Sequence, residues 1–186
     1  RYGSPQFFHR DTLFINSTTR VTLTAIDYES GLKKVDYSVN GSPNTYQSPF
    51  TMAGEGYKTI RFQATDNVNN QEQEKTSHAF VDNTPPVIYH NFSITHIGTK
   101  KKGGKMLNIY PNYTRLYLGA TDAHCGTDKI MYSINGSPMS DYSSPYTLDI
   151  SEVRRFRKNK LHTLVVKATD KLGNESTKTI EFYIGE

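Results

Sequence analysis

The heptapeptide Tyr-Ser-Val-Asn-Gly-Ser-Pro at residues 37–43 returns as Tyr-Ser-Ile-Asn-Gly-Ser-Pro at residues 132–138, a separation of 95 residues. A duplicated unit of about that length is one small domain with its own core, and it is longer than a solenoid repeat of roughly 20–50 residues. The two heptapeptides therefore predict two copies of one domain in the 186-residue chain.

Further matched blocks extend the duplication on both sides of the heptapeptide. Most keep the separation of 95 residues, and the last block is shifted to 104 because the second copy has a longer connection at residues 147–160. The matches are Thr19-Arg20-Val21 with Thr114-Arg115-Leu116, Ala25-Ile26-Asp27 with Ala120-Thr121-Asp122, Ser48-Pro49-Phe50 with Ser144-Pro145-Tyr146, and Ala64-Thr65-Asp66 with Ala168-Thr169-Asp170.

The copies meet at Asp82-Asn83-Thr84-Pro85-Pro86. Two prolines fix two φ angles and remove two donors, so we expect an extended, semi-rigid joint. The predicted domains are residues 1–84 and 85–186, the second with basic loop insertions. Residues 87–97 have no full counterpart before Arg10, which suggests that the first copy lacks part of its first strand and that the chain is a fragment of a longer array. A naturally processed N-terminus is the alternative.

Composition limits the class of protein. Hydrophobic residues make up 35% of the chain and charged residues 22%, and no apolar run approaches 18 residues, so neither a transmembrane helix nor a signal peptide is predicted. Cys125 is the only cysteine, so no disulfide joins the sheets of either copy. This weakens an animal-type extracellular immunoglobulin assignment and fits exported bacterial proteins, while a cytosolic origin stays open.

Short alternating segments separated by turn residues predict strands throughout both copies. Each Asn-Gly pair, at Asn40-Gly41 and Asn135-Gly136, predicts a hairpin tip, because both residues adopt positive φ at low cost. A single helical turn is predicted at residues 151–156. The predicted strands span residues 20–26, 34–39, 57–65, 78–81, 115–121, 129–134, 161–169 and 178–184. Strands without intervening helices predict an all-β fold, with a sandwich of about seven strands in each copy.

The recurring pattern Tyr-x-Val/Ile-Asn-Gly, Ser-Pro-aromatic and Ala-Thr-Asp-x-x-x-Asn resembles bacterial immunoglobulin-like tandem repeats of exported and surface proteins. It is also similar to the immunoglobulin-like C-terminal module of chitobiase-type secreted hydrolases. Copy one departs from the pattern at Asn69, where copy two has Gly173. The resemblance implies two tandem immunoglobulin-like sandwiches. It leaves function open, because such modules serve as stalks, spacers, adhesive segments and appendages to enzymes.

Aspartates at strand ends are the candidate metal ligands. In an immunoglobulin-type strand order, Asp122 and Asp170 converge at the end of copy two that receives the linker, and Asp82 ends the last strand of copy one. Oxygen ligands of this kind suit calcium, so we predict an inter-domain cation site there, with a parallel set of Asp27 and Asp66 in copy one. The alternative is that each aspartate caps a turn through its side chain.

Positive charge is concentrated in copy two. Residues 1–85 hold eight Lys or Arg and nine Asp or Glu, whereas residues 86–186 hold fourteen and nine, so nets of −1 and +5 make up the overall +4. The excess suggests binding to an acidic polysaccharide or another polyanion at a cell surface, with solvated surface as the alternative. The candidate residues are Lys100, Lys101, Lys102, Lys105, Arg154, Arg155, Arg157 and Lys158.

Sequence motifs of known catalytic sites are missing, and the adjacent His124 and Cys125 supply too few ligands or partners for a metal or nucleophile site. We therefore predict a non-catalytic structural or adhesive module, a stalk or spacer, of an exported bacterial surface protein. Its compartment would be the cell surface, the outer membrane, the periplasm or the medium. The alternative is an accessory carbohydrate-binding or substrate-positioning module of a secreted hydrolase. The expected partners are other domains of a longer parent chain, with nucleic acid and membrane insertion not expected.

Overall fold

A computed structural model describes residues 1–142, 148–149 and 156–185 of the chain, with the backbone alone given at residues 148–149. Every regular element among these residues is a β strand, which confirms the predicted all-β fold. In this part of the chain no helix is long and apolar enough to cross a membrane. The chain divides into two compact units, Arg1–Asn83 and Thr84–Glu186.

Unit 1 is built on one six-stranded sheet with the order β1-β2-β6-β5-β3-β4. Its strands are β1 (Gln6–His9), β2 (Thr12–Ile15), β3 (Leu32–Val39), β4 (Ser42–Thr45), β5 (Gly56–Asp66) and β6 (Lys75–Val81). A second, minimal layer forms where Val21 bridges both Tyr2 and Phe50 in antiparallel fashion. The core lies between the layers, and its fully buried members include Ile15, Ile60 and Val81.

Unit 2 repeats this plan with a more complete second layer. The strands are β7 (Val87–Phe92), β8 (Gly98–Lys102), β9 (Lys105–Tyr110), β10 (Arg115–Thr121), β11 (Thr127–Ile134), β12 (Ser140–Tyr142), β13 (Leu148–Asp149), β14 (Leu161–Asp170) and β15 (Glu175–Ile184). One sheet has the order β12-β11-β14-β15-β9-β8 and the other β13-β10-β7. Leu116, Leu164 and Phe182 are buried between the two sheets. Each such side chain stabilises the unit by about 1.5–3 kcal/mol through removal of apolar surface from water.

Both units place a parallel strand pair in the larger sheet. In unit 1, Phe14 and Ile15 of β2 pair with Phe80 and Val81 of β6. In unit 2, Ile109 and Tyr110 of β9 pair with Tyr183 and Ile184 of β15. All other strand pairs in these sheets are antiparallel among the described residues.

The duplicated heptapeptide forms the predicted hairpin tip in each unit. Asn40 and Asn135 have φ of 49° and 52°, and the following glycines have φ of 85° and 78°. Each asparagine Oδ1 also accepts a hydrogen bond from the neighbouring strand, from the N–H of Thr59 at 2.8 Å and of Thr163 at 2.9 Å. The repeat therefore recurs because it closes a hairpin and ties the hairpin to the sheet.

Three sequence predictions differ from the structure or lie outside it. Residues 20–26 do not form a strand, because only Val21 is bridged on either side. The basic segment 98–105 is not a loop insertion: it forms the hairpin of β8 and β9, and unit 1 has the corresponding hairpin of β1 and β2. Three consecutive lysines on an edge strand keep their charges in water and break the apolar alternation, so the sequence pattern alone suggests a loop. The predicted helical turn at residues 151–156 lies outside the described residues except for Phe156.

Candidate functional site

The aspartate that ends the central strand caps the following turn in both units. In unit 1, Asp66 Oδ1 accepts hydrogen bonds from the N–H groups of Val68 at 3.0 Å and Asn70 at 2.7 Å, and its Oδ2 accepts one from Asn70 Nδ2 at 2.8 Å. Asn69, with φ of 70°, supplies the positive backbone angle that the turn requires.

Unit 2 repeats this arrangement atom for atom. Asp170 Oδ1 accepts from the N–H groups of Leu172 and Asn174, both at 2.8 Å, and Oδ2 accepts from Asn174 Nδ2 at 2.7 Å. Gly173, with φ of 84°, stands where unit 1 has Asn69. Turn capping, the alternative to metal binding, is therefore an observed role of both aspartates.

The other pair of aspartates differs between the units. In unit 1, Asp27 Oδ2 accepts hydrogen bonds from the N–H of Ser30 at 3.2 Å and from its hydroxyl at 2.8 Å, and Oδ1 accepts from the N–H of Glu29 at 3.2 Å. At the separation of 95 residues, Asp122 and Cys125 replace Asp27 and Ser30. The serine hydroxyl that supports this carboxylate in unit 1 is therefore missing in unit 2.

The replacement leaves a buried carboxylate oxygen without a hydrogen bond. Asp122 Oδ1 accepts from the N–H groups of His124 at 3.0 Å and Gly126 at 2.9 Å, but Asp122 Oδ2 is buried and has no partner among the described residues. One carboxylate oxygen of Asp122, one of Asp170 and the Cys125 sulfur lie within 4.8 Å of one another. Leaving a charged oxygen unsatisfied costs free energy of about 1–3 kcal/mol or more, so a cation could compensate it. These three residues are the candidate site.

The pKa values of Asp27 and Asp66 in unit 1 are lowered below the ordinary range of an aspartate. The pKa of Asp27 is lowered from 3.8, first by the hydroxyl of Ser30 and then by the N–H of Glu29. At Asp66 partial desolvation raises the pKa, but the hydrogen bonds, mainly from Asn70, outweigh it and the net pKa is lowered. Both groups are therefore ionised at neutral pH and are already satisfied by turn donors, which supports capping as their role.

Asp82 lies directly after β6, and its N–H donates to the carbonyl of Ile15 at 2.8 Å. This bond extends the pairing of β2 and β6 by one residue. Its assignment to a shared cation site with Asp122 and Asp170 stays a prediction.

The basic candidates fall into two groups. Lys100, Lys101 and Lys102 lie on β8, an edge strand, and Lys105 begins β9. Lys100 Nζ lies 4.9 Å from the centroid of the Tyr183 ring, and Lys102 Nζ lies 3.6 Å from Glu181 Oε1, so two of the lysines contact β15.

The second basic group precedes β14. The side chains of Arg157 and Lys158 are exposed, and the carbonyl of Arg157 lies 2.8 Å from the Nε2 atom of His162. Arg154 and Arg155 lie outside the described residues. Polyanion binding by either group stays a prediction.

Sequence reasoning missed the consequence of the exchange of serine for cysteine. The signal was available, because the separation of 95 residues aligns Ser30 with Cys125. The sequence could not show that Ser30 donates a hydrogen bond to Asp27, because this contact depends on the conformation of the loop.

Comparison with known proteins adds little. No protein-family model matches the chain, and no curated protein matches it. Among solved structures, the chain is similar to the fibronectin(III)-like modules of Clostridium thermocellum CbhA, with 11% sequence identity and a TM-score of 0.46 over 100% of this chain and 93% of that chain. At this degree of similarity the fold assignment rests on the strands and their pairing described above.

Proposed function

We propose that the chain is a non-catalytic, load-bearing spacer or adhesive module of an exported bacterial surface protein. The observation that carries the proposal is the parallel pairing of β2 with β6 and of β9 with β15. The resemblance of the repeat motifs to bacterial surface repeats supports the exported location.

Parallel pairing decides how a unit responds to tension along the chain. Tension from the N-terminal side first opens the antiparallel β1–β2 hairpin from its free end and then reaches β2 at Thr12. Tension from the C-terminal side reaches β6 directly, so β2 and β6 are then pulled in opposite directions along their length. All hydrogen bonds between them then resist together, including the bond from Asp82 N–H to Ile15 carbonyl at 2.8 Å. In unit 2 the bond from Gly185 N–H to Tyr110 carbonyl, also 2.8 Å, holds the corresponding place. An antiparallel pair loaded from one end would open one bond at a time.

Single-molecule force spectroscopy tests the proposal with an internal control. Pulling between residues 1 and 186 loads the parallel pairs in shear, whereas pulling between Lys160 and residue 186 opens the antiparallel pair of β14 and β15 from its free end. We expect a clearly higher unfolding force in the first geometry. Equal forces in the two geometries would contradict a load-bearing role.

A cation site in unit 2 is the second candidate, because Asp122 Oδ2 is buried without a hydrogen-bond partner beside Asp170 and Cys125. Two carboxylates suit calcium, whereas a thiolate suits zinc. The two carboxylates lie at the end of the sandwich where two loops meet. A cation bound between them would offset the repulsion of their negative charges. Asp82 is the further ligand that the sequence predicts.

Melting curves with calcium, with zinc and with chelator test the cation site. A cation at a hundredfold excess over its Kd would stabilise the protein by about 2.7 kcal/mol. Asp122→Ala should abolish this increase, while Asp27→Ala should keep it. Cys125→Ser separates the metals, since calcium binding would survive and zinc binding would weaken. Identical melting of the original protein under all three conditions would contradict the site.

A further inference from the structure

A surface cavity of unit 2 lies where the hairpin tip between β11 and β12 meets the segment that precedes β14. It has a volume of about 570 Å³, and its wall combines the cations Arg157 and Lys160 with the apolar residues Ile134 and Leu161. The turn residues 135–137 also contribute to the wall. Cavities of about this size enclose small organic molecules in many proteins.

A chain of hydrogen bonds fixes the segment before β14 against the hairpin tip. Asn135 Oδ1 accepts a bond from the N–H of Thr163 at 2.9 Å, and Asn135 Nδ2 donates to Nδ1 of His162 at 3.0 Å. Nε2 of the same ring donates to the carbonyl of Arg157 at 2.8 Å. The main chain of Arg157 is therefore held at the cavity by a histidine that is 1% exposed.

A further hydrogen bond fixes the turn that follows Arg157. Asn159 has a φ of 55°, and its N–H donates to the carbonyl of Ile184 at 2.7 Å. The segment that carries both cations is thus tied to the unit at two points before β14 begins. A wall that is already held in place loses less conformational entropy when a ligand binds.

Unit 1 has no counterpart of this arrangement. At a separation of 104 residues, Gly56 and Lys58 stand where unit 2 has Lys160 and His162, and Arg157 lies in the longer connection of copy two. Burying an imidazole costs free energy unless its nitrogens are hydrogen-bonded. Because unit 1 forms the same larger sheet without this network, the shared fold does not account for it.

The two cations determine the charge of a suitable ligand. Neither Arg157 nor Lys160 has an ion-pair partner among the residues that the structure describes. A guanidinium fork and an ammonium group bind carboxylate or sulfate oxygens through charge-assisted hydrogen bonds. Leu161 adds apolar surface to the same wall, against which the C–H groups of a sugar ring can pack. The cavity therefore suits a ligand that combines an anionic group with an apolar face.

Nucleic acid matches this cavity less well. Single strands bind to aromatic faces on which their bases stack, and the aromatic ring in this wall, that of His162, is 1% exposed. Binding to a phosphate backbone takes a series of cations along the strand. Two cations at one cavity match a single anionic group better than a row of phosphates.

We propose that this cavity of unit 2 binds an acidic sugar residue of a polysaccharide, with its carboxylate or sulfate group held by Arg157 and Lys160. Lys160 is the ammonium group of the site, because the neighbouring Lys158 does not line the cavity. The proposal rests on the adhesive part of the proposed function and names a ligand for it. It involves no residue of the parallel strand pairs, so the force measurement and the binding measurement can fail independently.

NMR titration of the 186-residue protein with glucuronate, glucose sulfate and glucose at constant ionic strength tests the proposal. We expect the amide signals of Gly136, Ser137 and Leu161 to shift with at least one of the acidic sugars and to stay unchanged with glucose. The acidic sugar that binds more tightly identifies the anionic group as carboxylate or sulfate. Inorganic sulfate and a single-stranded oligonucleotide are the competing ligands, and both should bind more weakly.

Lys160→Gln and Lys158→Gln are matched variants, because each removes one exposed charge and only Lys160 lines the cavity. Lys160→Gln should weaken binding of the acidic sugar about tenfold or more, since one hydrogen bond between charged groups is lost. Lys158→Gln should weaken it about twofold at most, because a solvated charge outside the cavity is screened. Arg157→Lys keeps the charge but loses the planar fork, so it should also bind more weakly.

Three results would overturn the proposal. The first is the absence of shifts at the cavity with either acidic sugar. The second is an equal loss of binding in the two lysine variants, which would indicate attraction to the general surface charge. The third is equally tight binding of inorganic sulfate or of the oligonucleotide, which would show that the cavity does not recognise a sugar.

Discussion

At the scale of residues, the duplication shows which side chains serve the fold. Asp66 and Asp170 accept the same set of hydrogen bonds, and Asn40 and Asn135 tie the same hairpin to the sheet. These roles could be predicted, because Asp and Asn favour turns through local hydrogen bonds. The unsatisfied oxygen of Asp122 could not be predicted, because it depends on one loop conformation and on the replacement of Ser30 by Cys125.

His162 has no counterpart in unit 1, where Lys58 holds the corresponding position. The ring is 1% exposed and packs against Phe156 and Phe182. Its Nδ1 lies 3.0 Å from Asn135 Nδ2, and its Nε2 lies 2.8 Å from the Arg157 carbonyl. An Nδ1 that accepts and an Nε2 that donates require the neutral ring. Burial accordingly lowers the pKa of His162 below 6.5, although the bond to Arg157 acts in the opposite direction.

This lowered pKa predicts acid sensitivity. In the unfolded chain His162 has its ordinary pKa of 6.5, whereas in the folded state its pKa is lower. The unfolded chain therefore binds more protons between these two pKa values. Stability is therefore full above this pH and is lost as the pH falls from 6.5 towards the folded pKa, by at most about 1.4 kcal/mol per pH unit for one group. Urea unfolding at several pH values should show this slope, and His162→Gln should reduce it. His90, whose pKa burial also lowers, contributes in the same direction. An unchanged slope in the variant would contradict the role of His162.

At the scale of elements, the sequence predicts strands well where both neighbours are present. Residues 115–121 alternate and form β10 between β7 and β13, whereas residues 20–26 alternate equally well and form no strand. The difference lies in the pairing, because a strand needs partners along its length and an alternating pattern shows only which face is apolar.

The β8–β9 hairpin shows the opposite difference. Its run of lysines is typical of a loop, yet Gly103 and Gly104 have positive φ, of 53° and 83°, as a two-residue hairpin turn requires. Charged residues on an edge strand break the apolar alternation on which strand prediction depends. The matching hairpin of β1 and β2 in unit 1 shows that this element belongs to the shared plan.

At the scale of the whole molecule, the units share their sheet order and differ in charge. The proposed load-bearing role rests on the parallel pairs that the two copies share. The three consecutive lysines of β8 occur in one copy only. Binding would be added to a spacer at such a difference, because the shared fold does not require it.

The lysines of β8 have two distinguishable roles, protection of the sheet edge and attraction of a polyanion. Lys100 and Lys102 contact Tyr183 and Glu181, whereas Lys101 alternates to the opposite face and is exposed. If a polyanion binds, changing residues 100–102 to glutamine should lower the salt concentration that elutes the protein from heparin. The change should exceed that of Lys33, Lys34 and Lys58 to glutamine, which removes equal charge from unit 1, because clustered charge attracts more strongly than dispersed charge. Light scattering is the second readout. Unchanged elution relative to this control, together with new self-association, would assign the lysines to edge protection alone.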